Sequence, residues 1–323
     1  MVAWYLRVHR GRPSDLGGAD MYCDPARVGS LVVSRSALQR GEAGALFRML
    51  VATTLFQRQA DRQVLRILRE MPVEGARELG SAERLLELVD EGRCPRMVST
   101  EALRIECDLD KDPVTREGCC SANPQVACHL KRHTVLLRRY GHFGKVPTSV
   151  ALTLRELGVD GLPGLYAWVL LSVEEPEARA RALEEALSRA WRVNQKVACM
   201  FLAAISNPDL SPGLTPWEEG LDWTHFVVVD SNADLFLGQL GYRGGSSYDA
   251  RRAFFQELAG RIDLSELDAS LRPYNPRLVQ QAAYLFMSAS NRRLAPHDCM
   301  HEGPSACGSC PKALSDMCPV RSN

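Results

Sequence analysis

The chain has 323 residues, 46% of them hydrophobic and 24% charged, which fits one large or two ordinary globular domains and excludes a disordered or fibrous chain. Lys plus Arg equals Asp plus Glu at 39 each, so no overall basic excess marks the molecule for nucleic acid, and only a local basic face would serve that end. No stretch approaches the roughly 18 consecutive apolar residues of a membrane span, and the opening MVAWYLRVHRGRP lacks the apolar run of a signal peptide; a cytoplasmic protein with no membrane partner is expected.

Periodicity along the chain is helical rather than alternating, which predicts an all-α fold. Residues 44–71 place Leu46, Leu50, Ala52 and Leu55, then Val64, Ile67 and Leu68, at helical spacing, with the polar break QRQADRQ between them; two helices joined near 57–61 are predicted. Ser81 is a good N-cap for a helix over 81–89. Residues 92–133 hold Cys94, Cys107, Cys119, Cys120 and Cys128 with His129 and His133 in weakly periodic sequence. They read either as a surface insertion with free thiols or as a second metal site on some four of these side chains. Further helices are predicted over 130–140, 149–157, 165–173, 179–191 and 196–205. A Pro/Gly-rich loop over 207–220 and an apolar run over 226–229 follow, and the pattern is helical again over 248–291.

Three features carry chemistry. The segment ALSRAWRVNQKVACMFLAA reads as helix, tight turn near 192–194, and helix, with Lys196 in the first turn of the second helix, where outward amides can hold a phosphate. Lys196 reads either as a solvated side chain or, at the mouth of an apolar and therefore buried helix, as a nucleophile. In FVVVDSNADLFLGQL an apolar run ends in Asp230 as a helix begins. Capping accounts for the residue, and a carboxylate held that rigidly can also steady positive charge or relay a proton. The tail spaces its cysteines as Cys299-x7-Cys307-x2-Cys310-x7-Cys318, which suits one [4Fe-4S] cluster or one zinc ion. A single Cys-x2-Cys pair between two lone cysteines favours the cluster over the doubled knuckle of structural zinc, and the lack of a signal-peptide run disfavours disulfides.

This order of motifs resembles the helix-hairpin-helix DNA glycosylases of the endonuclease III type, over roughly residues 44–318. Lys196 in RVNQKVACM stands where the family's LPGVGxKTA hairpin has its nucleophilic lysine, and Asp230 in VVVDSN where its VDTH has the aspartate. Cys299, Cys307, Cys310 and Cys318 match its cluster ligands. LVATTLFQRQAD is similar to the family's LIAxLLSxQxTD, so Gln57, Arg58 or Gln59 would fill the gap left by an extruded base; QKVACMFLAA is also similar to the corresponding helix of 8-oxoguanine glycosylases. The sequence departs from the family in three places. Arg192, Val193, Asn194 and Gln195 replace the Gly-Val-Gly turn, the tail spacing is seven-two-seven rather than six-two-five, and residues 92–133 are inserted. It therefore looks like a distant member.

The resemblance implies two helical lobes with duplex DNA in the groove between them, one over 44–220 with an insertion at 92–133, the other combining 1–43 with 221–323. It implies a monomer that flips out a damaged or modified base and cleaves its glycosidic bond through Lys196, with Asp230 assisting and apurinic/apyrimidinic lyase activity following. DNA contacts are expected from Gln57, Arg58, Gln59, Asn194, Gln195, Arg292 and Arg293, with Lys312 and Arg321 completing a local basic patch around a structural cluster. Tyr166, Trp168, Trp191 and Phe143 are candidates to stack on the base, or ordinary core aromatics. The alternatives are a glycosylase without lyase activity, a non-catalytic iron-sulfur or zinc DNA-binding or regulatory protein on the same fold, and an electron-transfer or redox-sensing protein, the last disfavoured by the absence of a nucleotide motif such as GxGxxG.

Overall fold

The structure, a computed structural model, describes residues 1–57, 61–107, 128–130, 144–301, 308 and 310–320. These form seventeen α-helices and six 3-10 turns, with no strand among them, so the fold is all-α. In chain order the helices are α1 (Val2–Val8), α2 (Pro25–Val28), α3 (Arg35–Gln39), α4 (Ala43–Thr54), α5 (Asp61–Glu70), α6 (Val73–Leu79), α7 (Ala82–Gly92) and α8 (Thr100–Ile105). After these come α9 (Lys145–Glu156), α10 (Gly161–Ser172), α11 (Pro176–Ser188), α12 (Gln195–Ser206), α13 (Ser231–Gln239), α14 (Tyr248–Ala259), α15 (Pro276–Met287), α16 (Ala289–Arg292) and α17 (Lys312–Met317).

The polar break QRQADRQ separates α4 from α5 as its sequence predicts, and Ser81 caps α7 by accepting the Arg84 amide at 3.1 Å. The helical reading of 248–291 needs correction. Only α14, α15 and α16 are α-helical there, because Gly260 ends the first and Asn275 caps the second, with Pro276 at its first position, where a missing N–H costs nothing. The apolar run 226–229 belongs to no helix or strand among the described residues. The helix expected over 130–140 lies almost wholly outside the described residues.

Two helix groups position the rest. In one, α4 and α12 are buried on nearly every side, as their apolar sequences require, and pack on each other; α10 packs on α4 and α11, and α11 on α12. In the other, α15 is the central helix, covered by α1, α13 and α14. A large apolar core runs through both, from Tyr5 and Leu46 to Phe201, Leu278 and Leu285, and a second one packs Phe236 of α13 and Phe255 of α14 on Phe286 of α15. Helix α5 crosses between them, packed on α2 and in contact with α16. Its approach to α2 depends on Gly29, which has φ +55° and where a Cβ would lie 2.4 Å from the Leu68 carbonyl oxygen. Around α9, the buried Cys107 and Cys128 and the half-buried Cys94 pack with Val89, Met97, Leu103, Leu130 and Leu152 in a small separate core. No helix among the described residues is long and apolar enough to cross a membrane.

Candidate active site

Lys196 lies in the first turn of α12, whose start is fixed by Asn194: the Asn194 Oδ1 accepts the Val197 amide at 3.1 Å. The turn before it uses no glycine, and Arg192 adopts the left-handed conformation at φ 60° in its place. Lys196 Nζ donates to the Phe56 carbonyl oxygen at 2.7 Å, and Gln57 Nε2 donates to the Arg192 carbonyl oxygen at 3.0 Å, so the chain just beyond α4 is tied to both the lysine and the turn.

Asp230 caps α13, accepting the Ala233 amide at 2.8 Å. The run leading to it is held by Tyr248, whose hydroxyl donates to the Val227 carbonyl oxygen at 2.9 Å and accepts the Val229 amide at 3.1 Å. Lys196 and Asp230, far apart in sequence and supplied by different helix groups, line one pocket. Leu16, Phe56, Asp61, Met200, Val228, Arg277, Gln280, Gln281 and Tyr284 also line it, around a small cavity of about 50 Å³ that is partly open to solvent. Burial pushes the Asp230 carboxyl above its ordinary range; the Ala233 amide, Lys196 and Arg277 oppose the rise and Asp61 adds to it. Asp61 accepts from the Tyr284 hydroxyl and from Asn291 Nδ2, the latter at 2.6 Å.

Beneath this pocket a buried charged network joins the two helix groups. Glu184 of α11 receives Arg252 Nη2 at 2.7 and 2.8 Å, His225 Nε2 lies 2.9 Å away, and Gln195 Nε2 donates to it at 2.8 Å. Burial alone would raise the Glu184 carboxyl, but the hydrogen bond from His225, the charge and hydrogen bonds of Arg252 and the Gln195 amide outweigh it and hold the group at about 2.

Several expected contacts fall elsewhere. Gln195 turns inward onto Glu184, and the Asn194 side chain is engaged as a helix cap. Arg292 is 1% exposed, since its guanidinium pairs with Asp298 at 3.0 Å; it does not face the surface where a phosphate would bind. Arg293 and Lys312 are exposed, whereas Arg58, Gln59 and Arg321 lie outside the described residues. None of the candidate stacking aromatics that are described lines the pocket. Tyr166 stacks on Trp217, Trp191 is buried with Lys145 above its ring, and Trp168 is exposed; Phe143 lies outside the described residues. The aromatic at the pocket is Phe56, next to the polar break, with Tyr284 beside it. Sequence reasoning passed over Asp61, although it is the last residue of the quoted LVATTLFQRQAD, and over Arg277, Gln280, Gln281 and Tyr284, which gave no motif.

In the tail, Arg292 Nη2 donates to Cys299 Sγ at 3.1 Å and Nη1 to Cys318 Sγ at 3.4 Å. One guanidinium thus faces two of the four expected ligands; burial raises the Cys299 thiol above its ordinary value, and the Arg292 charge opposes that rise, as a supporting cation behind a metal-thiolate group would. Cys310 is half-buried and Cys307 lies outside the described residues. Among the described residues no three His, Cys, Asp or Glu side chains are gathered in ligating geometry, either here or around Cys94, Cys107, Cys128 and His129, where Cys119, Cys120 and His133 are again outside them. His129 Nε2 lies 3.0 Å from the Thr148 hydroxyl. A comparison with known proteins found no matching family model, no matching curated protein and no matching solved structure.

Proposed function

We propose that the chain is a helix-hairpin-helix DNA glycosylase with apurinic/apyrimidinic lyase activity, acting on a damaged or modified base in duplex DNA. The observation that carries the reading is the meeting of Lys196 and Asp230 at one pocket, with the Asp230 carboxyl raised by burial. A glycosidic carbon is out of reach inside a stacked duplex, so the base must leave the helix, and Gln57, whose amide is tied to the turn at Arg192, would fill the gap. Lys196 Nζ attacks C1′ of the extruded nucleotide, and the C1′–N bond breaks with its electron pair passing to the base. The proton shed by the lysine nitrogen is taken up through Asp230, whose carboxylate also steadies the positive charge on the sugar. Opening of the sugar ring leaves a Schiff base between Nζ and C1′, and β-elimination then breaks the strand on the 3′ side. A [4Fe-4S] cluster, with zinc as the alternative metal, would be held by Cys299, Cys307, Cys310 and Cys318 and would supply a rigid fold rather than reaction chemistry. Exposed Arg293 and Lys312 lie in the same tail for phosphate contact.

Borohydride reduction of the protein mixed with duplexes bearing a lesion panel and an abasic site is the test. The expected result is a covalent adduct in the wild type that disappears in Lys196→Ala. An adduct that survives the substitution overturns the nucleophile. No adduct and no base release on any duplex favours the non-catalytic DNA-binding reading.

A further inference from the structure

Helix α15 gives the pocket three polar side chains that bond cleavage by Lys196 and Asp230 leaves unused: Arg277, Gln280 and Gln281, exposed by 4%, 1% and 3%. Arg277 Nη1 donates to Gln280 Oε1 at 2.5 Å and to Gln281 Oε1 at 2.7 Å, which occupies both amide oxygens. Gln281 Nε2 continues to Asp15 Oδ1 at 3.0 Å, which fixes that amide, while the Gln280 amide nitrogen keeps its donors. Arg277 Nε is buried and meets no hydrogen-bond acceptor among the described residues. The acceptors on the opposite side of the pocket are partly engaged, each carboxylate through one oxygen. Phe56 oxygen holds Lys196, Asp61 holds Tyr284 and Asn291, and Asp230 holds the Ala233 amide. The α15 side of the pocket is therefore rich in donors and positively charged. A buried guanidinium with unmet donors costs free energy that an arriving acceptor recovers.

Resting on the glycosylase reading, we propose that Arg277 and Gln280 are the specificity residues of this pocket, and that they select a flipped base bearing a carbonyl oxygen on the carbon next to its glycosidic nitrogen. That class contains pyrimidines with their O2 and purines oxidised at C8. When the C1′–N bond breaks, the electron pair received by such a base spreads over the N–C=O unit onto the carbonyl oxygen, where the Arg277 and Gln280 donors hold it until the nitrogen is protonated. A cationic N-alkylated purine leaves as a neutral molecule and so draws no benefit from these donors as its bond breaks.

The experiment measures single-turnover base release from duplexes carrying uracil, 5-hydroxyuracil, 8-oxoguanine, 7-methylguanine or 3-methyladenine. Borohydride trapping on an abasic duplex, which requires Lys196 but no base, is run with the same preparation. Wild-type protein is expected to release at least one of the first three and neither methylpurine. In Arg277→Met, and in Gln280→Glu, whose added carboxylate engages the free Arg277 donors while keeping the side chain's size, the ratio of base release to abasic trapping is expected to fall roughly 10- to 100-fold, the effect of one charged hydrogen bond. Release of a methylpurine as fast as the best carbonyl base, or an unchanged ratio in both variants, overturns the specificity assignment while trapping leaves the glycosylase reading intact. Failure of the wild type both to trap and to release overturns that reading, and this one with it.

Discussion

At the scale of single residues, the pocket is lined by two carboxylates in different settings. Asp61 is held by Tyr284 and Asn291, whereas Asp230 keeps only a backbone amide and faces Lys196 across the pocket. Because burial raises the Asp230 carboxyl, an activity that needs it ionised will have its acid limb above the ordinary aspartate value of 3.8. Asp61 contributes to that rise, so Asp61→Asn, which still accepts a hydrogen bond through its amide oxygen, is expected to move the acid limb of base release to lower pH. A pH profile of single-turnover cleavage reads the shift, and an unmoved limb would assign the titration to another group. Asp230→Asn is expected to lower base release by about 10²- to 10⁴-fold in the same assay with the fold retained, since an asparagine caps α13 as well as an aspartate does.

At the scale of helices, the two catalytic candidates belong to different groups that the Glu184 network joins. Glu184 stands on α11, Gln195 starts α12 beside Lys196, His225 precedes the run to Asp230, and Arg252 stands on α14 under Tyr248, which holds that run. Removing Glu184 would leave Arg252 buried without its main partner, so Glu184→Ala is expected to cost about 3–5 kcal/mol in chemical denaturation. The sign with pH follows from the depressed carboxyl. Its contribution is complete above the ordinary value of 4.5 and is lost as pH falls from there towards about 2, where the folded group takes up a proton. Denaturation midpoints measured across that window should converge for the wild type and Glu184→Gln at the acid end; parallel curves would place the acid sensitivity elsewhere. The sequence made these helices visible because apolar period, Ser81 as a cap and the break after α4 are local signals. The network is not local. Glu184 and Arg252 carried no mark distinguishing them from solvated charges, and Gln195, taken as a DNA contact, gave no sign that its amide turns inward. The α15 pocket wall was hidden for the same reason, since Leu278, Ala282 and Leu285 identify a packed helix but do not reveal that the polar residues between them are buried too.

At the scale of the whole molecule, the first helix and the cysteine tail are one assembly. His9 Nε2 lies 3.0 Å from Asp298, His9 Nδ1 lies 2.8 Å from the Ser14 hydroxyl, and Asp298 pairs with Arg292, which faces the sulfurs of Cys299 and Cys318. Read from sequence, Arg292 was a surface cation; its buried partner six positions on explains why it is not. If the tail holds a metal-thiolate group, Arg292→Met should weaken metal retention by about 10- to 100-fold, the usual scale for a supporting contact behind the ligands. Metal and sulfide analysis of anaerobically purified protein checks this, and visible absorption of the same sample separates an iron-sulfur cluster from zinc. Unchanged metal content in the variant would remove Arg292 from that role.

The same His9–Asp298 contact spans 289 positions and lies wholly out of solvent. A contact of such sequence separation forms late relative to local helix pairings, and it is available only once both ends have been made. During synthesis His9 Nδ1 can meet Ser14 at once, whereas Asp298, the partner of Nε2, is made 289 positions later. Every residue lining the pocket precedes Asp298, so a chain interrupted between Tyr284 and Asp298 would carry the whole pocket lining while its first helix lacked the contact that ties it to the cysteine segment.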